Sequence, residues 1–265
     1  MSIQQILRAI VLALLGISAT RADEEAAEDY SCGNSETDIA TDRPDVTNSS
    51  LVVPRGDLQV ENGINWTARQ SGTMTDGSNS RVRFGVAQCT EVLFDLPNYF
   101  HPQRGAALAG YSDFSPAIKR QFGHLPGDIE LSVTVGLDLP TGTARIAGPG
   151  LGGYIQLPWS KEIGGGWSLS GMLTAFLIPG ASANNPTVEP TLAIERQIGS
   201  RADFFVEYVA DHPRHGASSQ IFDSGGAYRI TPTQQIDIRV GIGLNRAAPD
   251  HLFGVGYSFR FDNVI

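Results

Sequence analysis

Apolar and polar residues alternate without interruption from Asp128 to Leu139, and this stretch guides the interpretation of the whole chain. Isoleucine, leucine or valine occupies every second position, whereas polar residues or glycine occupy the positions between them. Because successive side chains of a β-strand point to opposite faces, the pattern predicts a strand with one apolar and one polar face. Its length exceeds the roughly five or six residues of an ordinary strand and suits a tilted strand that crosses a bilayer.

The same alternation returns, less regularly, along the rest of the chain. The predicted strands cover residues 57–67, 81–87, 90–98, 111–122, 128–139, 149–160, 167–177, 187–197, 201–210, 220–230, 235–244 and 253–261, with polar loops predicted at 71–80 and 99–110. Short connections alternate with longer ones, and an even strand number is typical of bacterial outer-membrane barrels. The sequence therefore predicts an all-β fold, a single transmembrane antiparallel β-barrel of about 12 strands with short periplasmic turns and longer extracellular loops.

Aromatic residues near the predicted strand ends agree with this fold, because aromatic girdles form where a barrel meets the two membrane interfaces. They are Trp66, Trp159, Trp167, Tyr208, Tyr257, Phe259 and Phe261. The alternative is a soluble β-sandwich whose core holds the same aromatic side chains.

The first 22 residues have the organisation of a secretory signal peptide. Arg8 is followed by a short apolar segment at 9–17, and small residues end the segment at Thr20 and Ala22. The alternative, a buried N-terminal helix, is disfavoured by the acidic run that follows at once. Residues 23–55 are then expected to form a periplasmic N-terminal segment, either flexible or inserted into the barrel, and residues 56–265 the barrel itself.

Composition narrows the functional classes. The net charge of −9 argues against a nucleic-acid partner, which would need a basic surface. The mean hydropathy of −0.09 is compatible with alternating barrel strands. Cys32 and Cys89 are predicted at the same end of the barrel, where a disulfide and two free thiols are both open alternatives in an exported protein. No metal-binding spacing or cofactor motif is apparent, so we expect no cofactor.

A motif before the first predicted strand links the chain to a family. Arg-Pro-Asp is followed by Thr-Asn-Ser and then by a pattern of valine, proline, glycine and glutamate. The matching residues are Arg43, Pro44, Asp45, Thr47, Asn48, Ser49, Val53, Pro54, Gly56, Leu58, Gln59, Glu61 and Gly63. This segment resembles the outer-membrane proteins grouped as the MetA pathway of phenol degradation, also described as transporters. The resemblance implies an outer-membrane barrel, and it implies a substrate class more weakly.

Charged and polar residues on the wet faces of the predicted strands are candidates for the lumen. They are Glu61, Asn65, Asp128, Glu130, Glu189, Glu195, Glu207, Asp237, Arg239 and Arg260. Such side chains form a selectivity zone in an open pore, or they pair with one another and brace a narrow barrel. For any single residue, bracing is the favoured interpretation.

Enzymatic chemistry finds little support in the sequence. His215 lies close to Ser218 and Ser219 and offers the weak hypothesis of a barrel hydrolase, but no G-x-S-x-G motif accompanies them. The other histidines fall in predicted loops or turns. We therefore expect a protein that is not an enzyme.

The favoured hypothesis is an outer-membrane channel that lets small, hydrophobic or aromatic molecules pass without energy input. Its expected partners are outer-membrane lipid and a small-molecule solute, and the expected state is a monomer, with an oligomer as the alternative. A non-transporting structural or adhesive barrel is the second hypothesis.

Overall fold

The computed structural model of the chain describes Cys32 and residues 38–105, 108–147, 150–178 and 185–264, except for the side chains of His124 and Ile178. The predicted signal peptide at residues 1–22 lies outside the described residues. In the described part there is no helix long and apolar enough to cross a membrane.

The described residues form fourteen strands of one antiparallel sheet. The strands are β1 (Leu58–Arg69), β2 (Gly72–Ala87), β3 (Thr90–Asp95), β4 (Tyr99–Gly105), β5 (Gly110–Tyr111), β6 (Ser115–Leu125), β7 (Ile129–Asp138), β8 (Gly152–Gly164), β9 (Trp167–Ile178), β10 (Thr187–Ile198), β11 (Ala202–Pro213), β12 (Ser219–Thr231), β13 (Gln234–Gly243) and β14 (His251–Phe261).

The sheet closes on itself, because β1 pairs with β14 on one side and with β2 on the other. Strands β3 and β4 both pair with β2, so they are two pieces of one interrupted strand. Strands β5 and β6 continue each other in the same way, since β5 pairs with β4 and β6 with β3. The fold is therefore a barrel of twelve antiparallel strands, as the alternating pattern predicted.

The outer face of the barrel is apolar and the inner face is polar, the reverse of a soluble protein. On β13, the outward side chains of Ile236, Ile238 and Val240 are 45%, 48% and 51% exposed. Their inward neighbours Gln235 and Asp237 are only 4% and 6% exposed. A continuous apolar belt of this kind is stable against lipid and not against water. The chain is thus an outer-membrane barrel, and the β-sandwich alternative is wrong.

Aromatic side chains mark the end of the barrel that carries the short turns. On β14 the ring centroids of Tyr257 and Phe259 lie 5.7 Å apart, and those of Phe259 and Phe261 lie 5.3 Å apart. At the start of β9, the guanidinium of Arg196 lies over the ring of Trp167, 4.8 Å from its centroid. These positions suit a membrane interface, where one end of an aromatic side chain is wet.

Two predicted loops are strands in the structure. Residues 71–80 belong mostly to β2, which pairs with β1 and β4 over this stretch. Most of the second loop, residues 99–110, is β4. The prediction failed because polar residues inside a barrel face a polar lumen, so that a strand without outward aliphatic residues resembles a loop.

The apolar belt gives a direct test of the membrane assignment. Ile238 pairs with Val255 in the middle of β13, whereas Ile198 ends β10 beside a turn. We expect Ile238→Arg to destabilise the barrel in lipid vesicles by about 2–4 kcal/mol, and Ile198→Arg by about 0–1 kcal/mol. Denaturant titration followed by the heat-dependent gel shift measures both. Equal costs at the two positions would contradict a lipid-facing belt.

Candidate functional site

An irregular segment, residues 38–57, precedes β1 and crosses the interior of the barrel. We call it the septum. It contacts β3 and β6 on one side of the lumen and β8, β11 and β13 on the other, through hydrogen bonds described below. The lumen is therefore divided by the protein's own chain.

On the β1–β3 side, the septum docks onto a buried network of charges. Arg83 donates to Glu61 at 3.0 Å and to Glu91 at 2.9 Å. Lys119 Nζ lies 3.4 Å from the septum residue Asp42. All five side chains are at most 1% exposed. Buried charges are tolerated only when paired in this way, and removing one partner costs far more than the pair contributes.

Asp42 is the septum's part of this network. Its carboxylate also accepts a hydrogen bond from Arg81 at 2.9 Å, and its backbone N–H donates to Glu61. Burial raises the pKa of Asp42, but the charges of Arg83, Lys119 and Arg81 outweigh burial and hold this pKa below its usual value. Asp42 is therefore a charged anchor at neutral pH.

On the opposite wall, Glu207 of β11 holds the septum by its backbone. The carboxylate accepts hydrogen bonds from the N–H groups of Val46 and Thr47, both at 2.8 Å, and from the Thr47 hydroxyl at 2.6 Å. On β8, Gln156 accepts from the Asn48 amide at 3.0 Å. The septum is thus fixed from several sides.

Asp45 lies between the two walls, and its pKa is shifted in the opposite direction to that of Asp42. Burial, together with the negative charges of Glu207 and Glu195, raises the pKa of Asp45 well above its usual value. Arg239 opposes this shift without cancelling it. The ionised form of Asp45 therefore weakens docking of the septum.

Arg43 fits into a hollow formed by two glycines of the barrel wall. Gly63 of β1 and Gly256 of β14 face each other across the seam of the barrel. The guanidinium of Arg43 lies against both of them and donates to Asp237 at 3.1 Å. A methyl group at Gly63 would stand 2.5 Å from Arg43 Nη1. The barrel wall is therefore shaped to receive this residue of the septum.

Two cavities lie on either side of the septum, and Arg43, Pro44, Asp45 and Asn48 line both. The cavity near the short turns, which we call the periplasmic chamber, has a volume of about 360 Å³. The other, the extracellular chamber, has a volume of about 410 Å³. The periplasmic chamber is also lined by Ser160, Glu162, Glu195, Asp203 and Arg229, and the extracellular chamber by Asn65, Arg81, Asp95, Leu96, Asn98, Phe100 and Arg239.

The wall of the extracellular chamber is interrupted between β3 and β4. Here the Oδ1 atom of Asp76 accepts hydrogen bonds from the amides of Asn65, Asn79 and Asn98 at 3.2, 2.7 and 2.9 Å. Leu96, in the interruption itself, lines the chamber and is also 41% exposed. Leu96 therefore adds partly exposed apolar surface at this interruption.

The predicted lumen residues mostly face inward. Four of them are buried on the inner faces of strands: Glu61, Glu207, Asp237 and Arg260. Three line the chambers: Asn65, Glu195 and Arg239. The remaining two inward residues, Glu130 and Glu189, alternate with outward side chains along their strands. Asp128 is a correction, because it lies exposed in the β6–β7 turn with a φ of 57° and does not face the lumen. The sequence reasoning missed Arg83, Glu91 and Lys119, although the two-residue spacing of Arg81 and Arg83 in a predicted strand indicates a shared face.

The family-motif residues form the septum and the start of the barrel. Besides the contacts above, Val53 N donates to Glu91 at 2.7 Å, and Pro54 accepts a backbone hydrogen bond from Asp57. Gly56 has a φ of 88°, in the left-handed region that favours glycine. The motif therefore encodes the docking of the septum.

The open question of the cysteines is answered by a disulfide between Cys32 and Cys89. Cys89 lies in the β2–β3 turn.

The hydrolase hypothesis gains no support from the geometry. Ser218 contacts His212, with Oγ and Nδ1 2.9 Å apart, and the backbone N–H of His215 donates to Asn185. Both contacts are exposed, and within the residues that the structure describes no carboxylate is hydrogen-bonded to the His212 ring to complete a triad.

Comparison with known proteins agrees with this architecture. A family model described as "Putative MetA-pathway of phenol degradation" matches residues 41–261. An outer-membrane channel from Pseudomonas putida F1 is similar in fold, with a TM-score of 0.57, 12% identity and coverage of 83% of this chain and 99% of that chain. The KdgM porin has a TM-score of 0.55, 8% identity and coverage of 77% and 99%. The NanC porin has a TM-score of 0.53, 9% identity and coverage of 76% and 98%. A search of curated protein sequences finds no match.

The glycine hollow predicts a coupling between Gly63 and Arg43. Gly63→Ala should weaken docking of the septum, because the added methyl displaces the guanidinium. In an Arg43→Ala background the same change should have almost no effect, which gives a coupling energy of about 0.5–3 kcal/mol. Hydrogen exchange of residues 41–50 measures docking in all four proteins. Additive effects would show that Arg43 does not occupy the hollow.

The opposite pKa shifts of Asp42 and Asp45 predict that replacing each by asparagine has opposite effects on docking of the septum at pH 7. Asp42 has a lowered pKa, so its contribution to docking is complete above its usual pKa of about 4 and is lost as the pH falls through the lowered value. Asp45 has a raised pKa, so docking is favoured below about pH 4 and weakens as the pH rises through the raised value. Asp42→Asn should therefore increase hydrogen exchange of the septum at pH 7, and Asp45→Asn should decrease it.

These two variants serve as controls for each other, since they make the same chemical change three residues apart. At pH 3 the Asp45→Asn protein should exchange like the unmodified protein, because Asp45 is then protonated. Changes of the same sign at pH 7 would refute the electrostatic assignment.

Proposed function

Because the chain belongs to the MetA-pathway of phenol degradation family, we propose that it is a passive outer-membrane channel for small, hydrophobic or aromatic molecules. The observation that carries the proposal is the pair of chambers inside a closed barrel, one on each side of the septum. Solute enters the extracellular chamber and reaches the periplasmic chamber when the septum shifts.

The size of the chambers suits a molecule with one ring. An apolar cavity of about 150 Å³ takes up benzene in a well-studied protein. The volumes of about 360 and 410 Å³ leave room for one such solute and some water in each chamber. A large oligosaccharide would not fit without displacing the septum.

The lining of the extracellular chamber favours a neutral solute. The side chains of Asn65 and Asn98 bond to Asp76, and Arg81 is paired with Asp95 at 2.6 Å. Polar groups that already satisfy one another neither demand a charged ligand nor trap one. Leu96 and Phe100 add apolar surface to the same chamber. A neutral ring can therefore be held weakly and released, which passive transport requires.

Leu96 also defines a second route for the same solute. Because this side chain lines the chamber where the wall is interrupted between β3 and β4, we propose that a hydrophobic molecule passes there between the chamber and the membrane. The lumen and this side route share the extracellular chamber.

The alternative is a structural or adhesive barrel that transports nothing, and the septum is the observation in its favour. Hydrogen bonds and ion pairs hold the septum to several strands around the lumen. A barrel with a permanently filled lumen would keep its stability and lose its pathway.

Flux measurements separate the two functions. We expect proteoliposomes to take up a monosaccharide, which is ring-sized and does not cross lipid by itself, faster than a trisaccharide. Phenol should slow this uptake by occupying the extracellular chamber, and Leu96→Asp should weaken that inhibition about tenfold, because about 1.4 kcal/mol of apolar contact is lost. Leu151→Asp, at an exposed leucine that lines neither chamber, is the matched control. Vesicles sealed to both sugars would support the structural barrel.

A further inference from the structure

The chain on both sides of the septum is attached to one side of the barrel rim. At its C-terminal end, Gly56 N donates to Gly85 O at 2.8 Å, and Arg55 forms a backbone bridge with Gly85. At the other end, the disulfide joins Cys32 to Cys89, four positions beyond Gly85 along the chain. Cys89 is itself held in place, because its carbonyl accepts a hydrogen bond from Gln121 N at 3.0 Å.

Between these two attachments the septum reaches the opposite wall. Ile39 N donates to Pro232 O at 2.7 Å, Arg43 binds Asp237, and Thr47 binds Glu207. Cys32 and Gly56 are therefore both bonded at the β2–β3 end of the barrel, and septum residues between them contact the opposite wall. With the disulfide intact, the covalent loop from Cys32 to Cys89 includes the septum, β1 and β2.

Closure of this loop by the disulfide determines how far the septum can move when its hydrogen bonds and ion pairs to the wall break. A segment fixed at both ends stays at the mouth of the barrel at a high effective concentration, so it obstructs the lumen and docks again at once. A segment fixed only at Gly56 can move away, because the entropy that the crosslink removes from the undocked state is restored. The same hydrogen bonds hold the septum much less firmly in the second case.

We propose that the Cys32–Cys89 disulfide keeps the septum in the lumen and that its reduction lets the septum leave, which widens the passage between the two chambers. A dithiol reductant supplies two electrons and two protons. The sulfur–sulfur bond breaks, each cysteine sulfur gains one proton, and the dithiol becomes a disulfide. The thiol state of the pair thereby controls permeability, and this consequence rests on the channel function proposed above.

The test uses the full mature chain in planar bilayers, with dithiothreitol added to the side of the short turns. Reduction should raise the open probability by at least about thirtyfold, the factor that corresponds to the lower end of the roughly 2–4 kcal/mol that a crosslink typically contributes. The Cys32→Ser/Cys89→Ser double variant should behave like the reduced protein and should not respond to dithiothreitol. A heat-dependent gel shift establishes that the barrel is folded in each case.

Hydrogen exchange of residues 41–50 follows the septum independently of conductance. Exchange should rise on reduction and be equally high in the double variant. In the Asp42→Asn protein, exchange should already be raised with the disulfide intact, because docking is weaker. Reduction should then raise both its exchange and its open probability further, since weak docking and loss of the crosslink are separate effects.

Each outcome decides between the proposals. Equal exchange and equal conductance in the oxidised, reduced and double-variant proteins would overturn the lock, whether or not the barrel conducts. Faster exchange on reduction with no current in any form would retain the lock and overturn the channel. Faster exchange together with higher open probability would support both.

Discussion

The structure depends on the closure of the sheet between β1 and β14. Lipid offers no hydrogen-bond partner, so an unpaired strand edge cannot face it. The seam pairs every residue from Leu58 to Ala68 with a partner in β14. Once the backbone is satisfied in this way, the outward side chains are free to be apolar and the inward ones must be polar. The exposed isoleucines of β13 and the buried carboxylates of the lumen are two consequences of the same constraint.

A polar lumen of twelve strands then has to be filled or hydrated. The septum fills it with backbone, which brings N–H donors to acceptors on the wall. Glu61 receives the N–H of Asp42, Glu207 those of Val46 and Thr47, and Glu91 that of Val53. An irregular segment without secondary structure would leave these donors unpaired, at a cost of about 1–3 kcal/mol each. The wall carboxylates therefore accept the hydrogen bonds that carbonyl groups of a neighbouring strand accept in a sheet.

The strand pattern and the family motif made the barrel predictable from sequence, because alternation is imposed locally by lipid on one face and water on the other. From β7 to β14, where outward aliphatic residues recur, the predicted strands lie within a few residues of the observed ones. Around β2 and β4 the pattern fails, since polar residues dominate both faces there.

The site was predictable only in part, because docking of the septum depends on contacts between residues far apart in sequence. Asp42 and Lys119 are separated by 77 positions, and Thr47 and Glu207 by 160. Alternation indicates that Glu61 and Glu207 face inward, but nothing local indicates which septum residue each one binds. Asp128 was misplaced for a related reason, since an alternating pattern does not reveal where a turn begins.

The opposite behaviour of Asp42 and Asp45 follows from an asymmetry of the barrel wall. On the β1–β3 side, Asp42 lies 2.9 Å from Arg81, 3.4 Å from Arg83 and 3.4 Å from Lys119, so this carboxylate is surrounded by cations. On the β10–β11 side, the ion pairs found among the described residues include neither Glu195 nor Glu207. The paired wall therefore holds the septum through charges, whereas Glu207 on the acidic wall holds it through the backbone N–H groups of Val46 and Thr47.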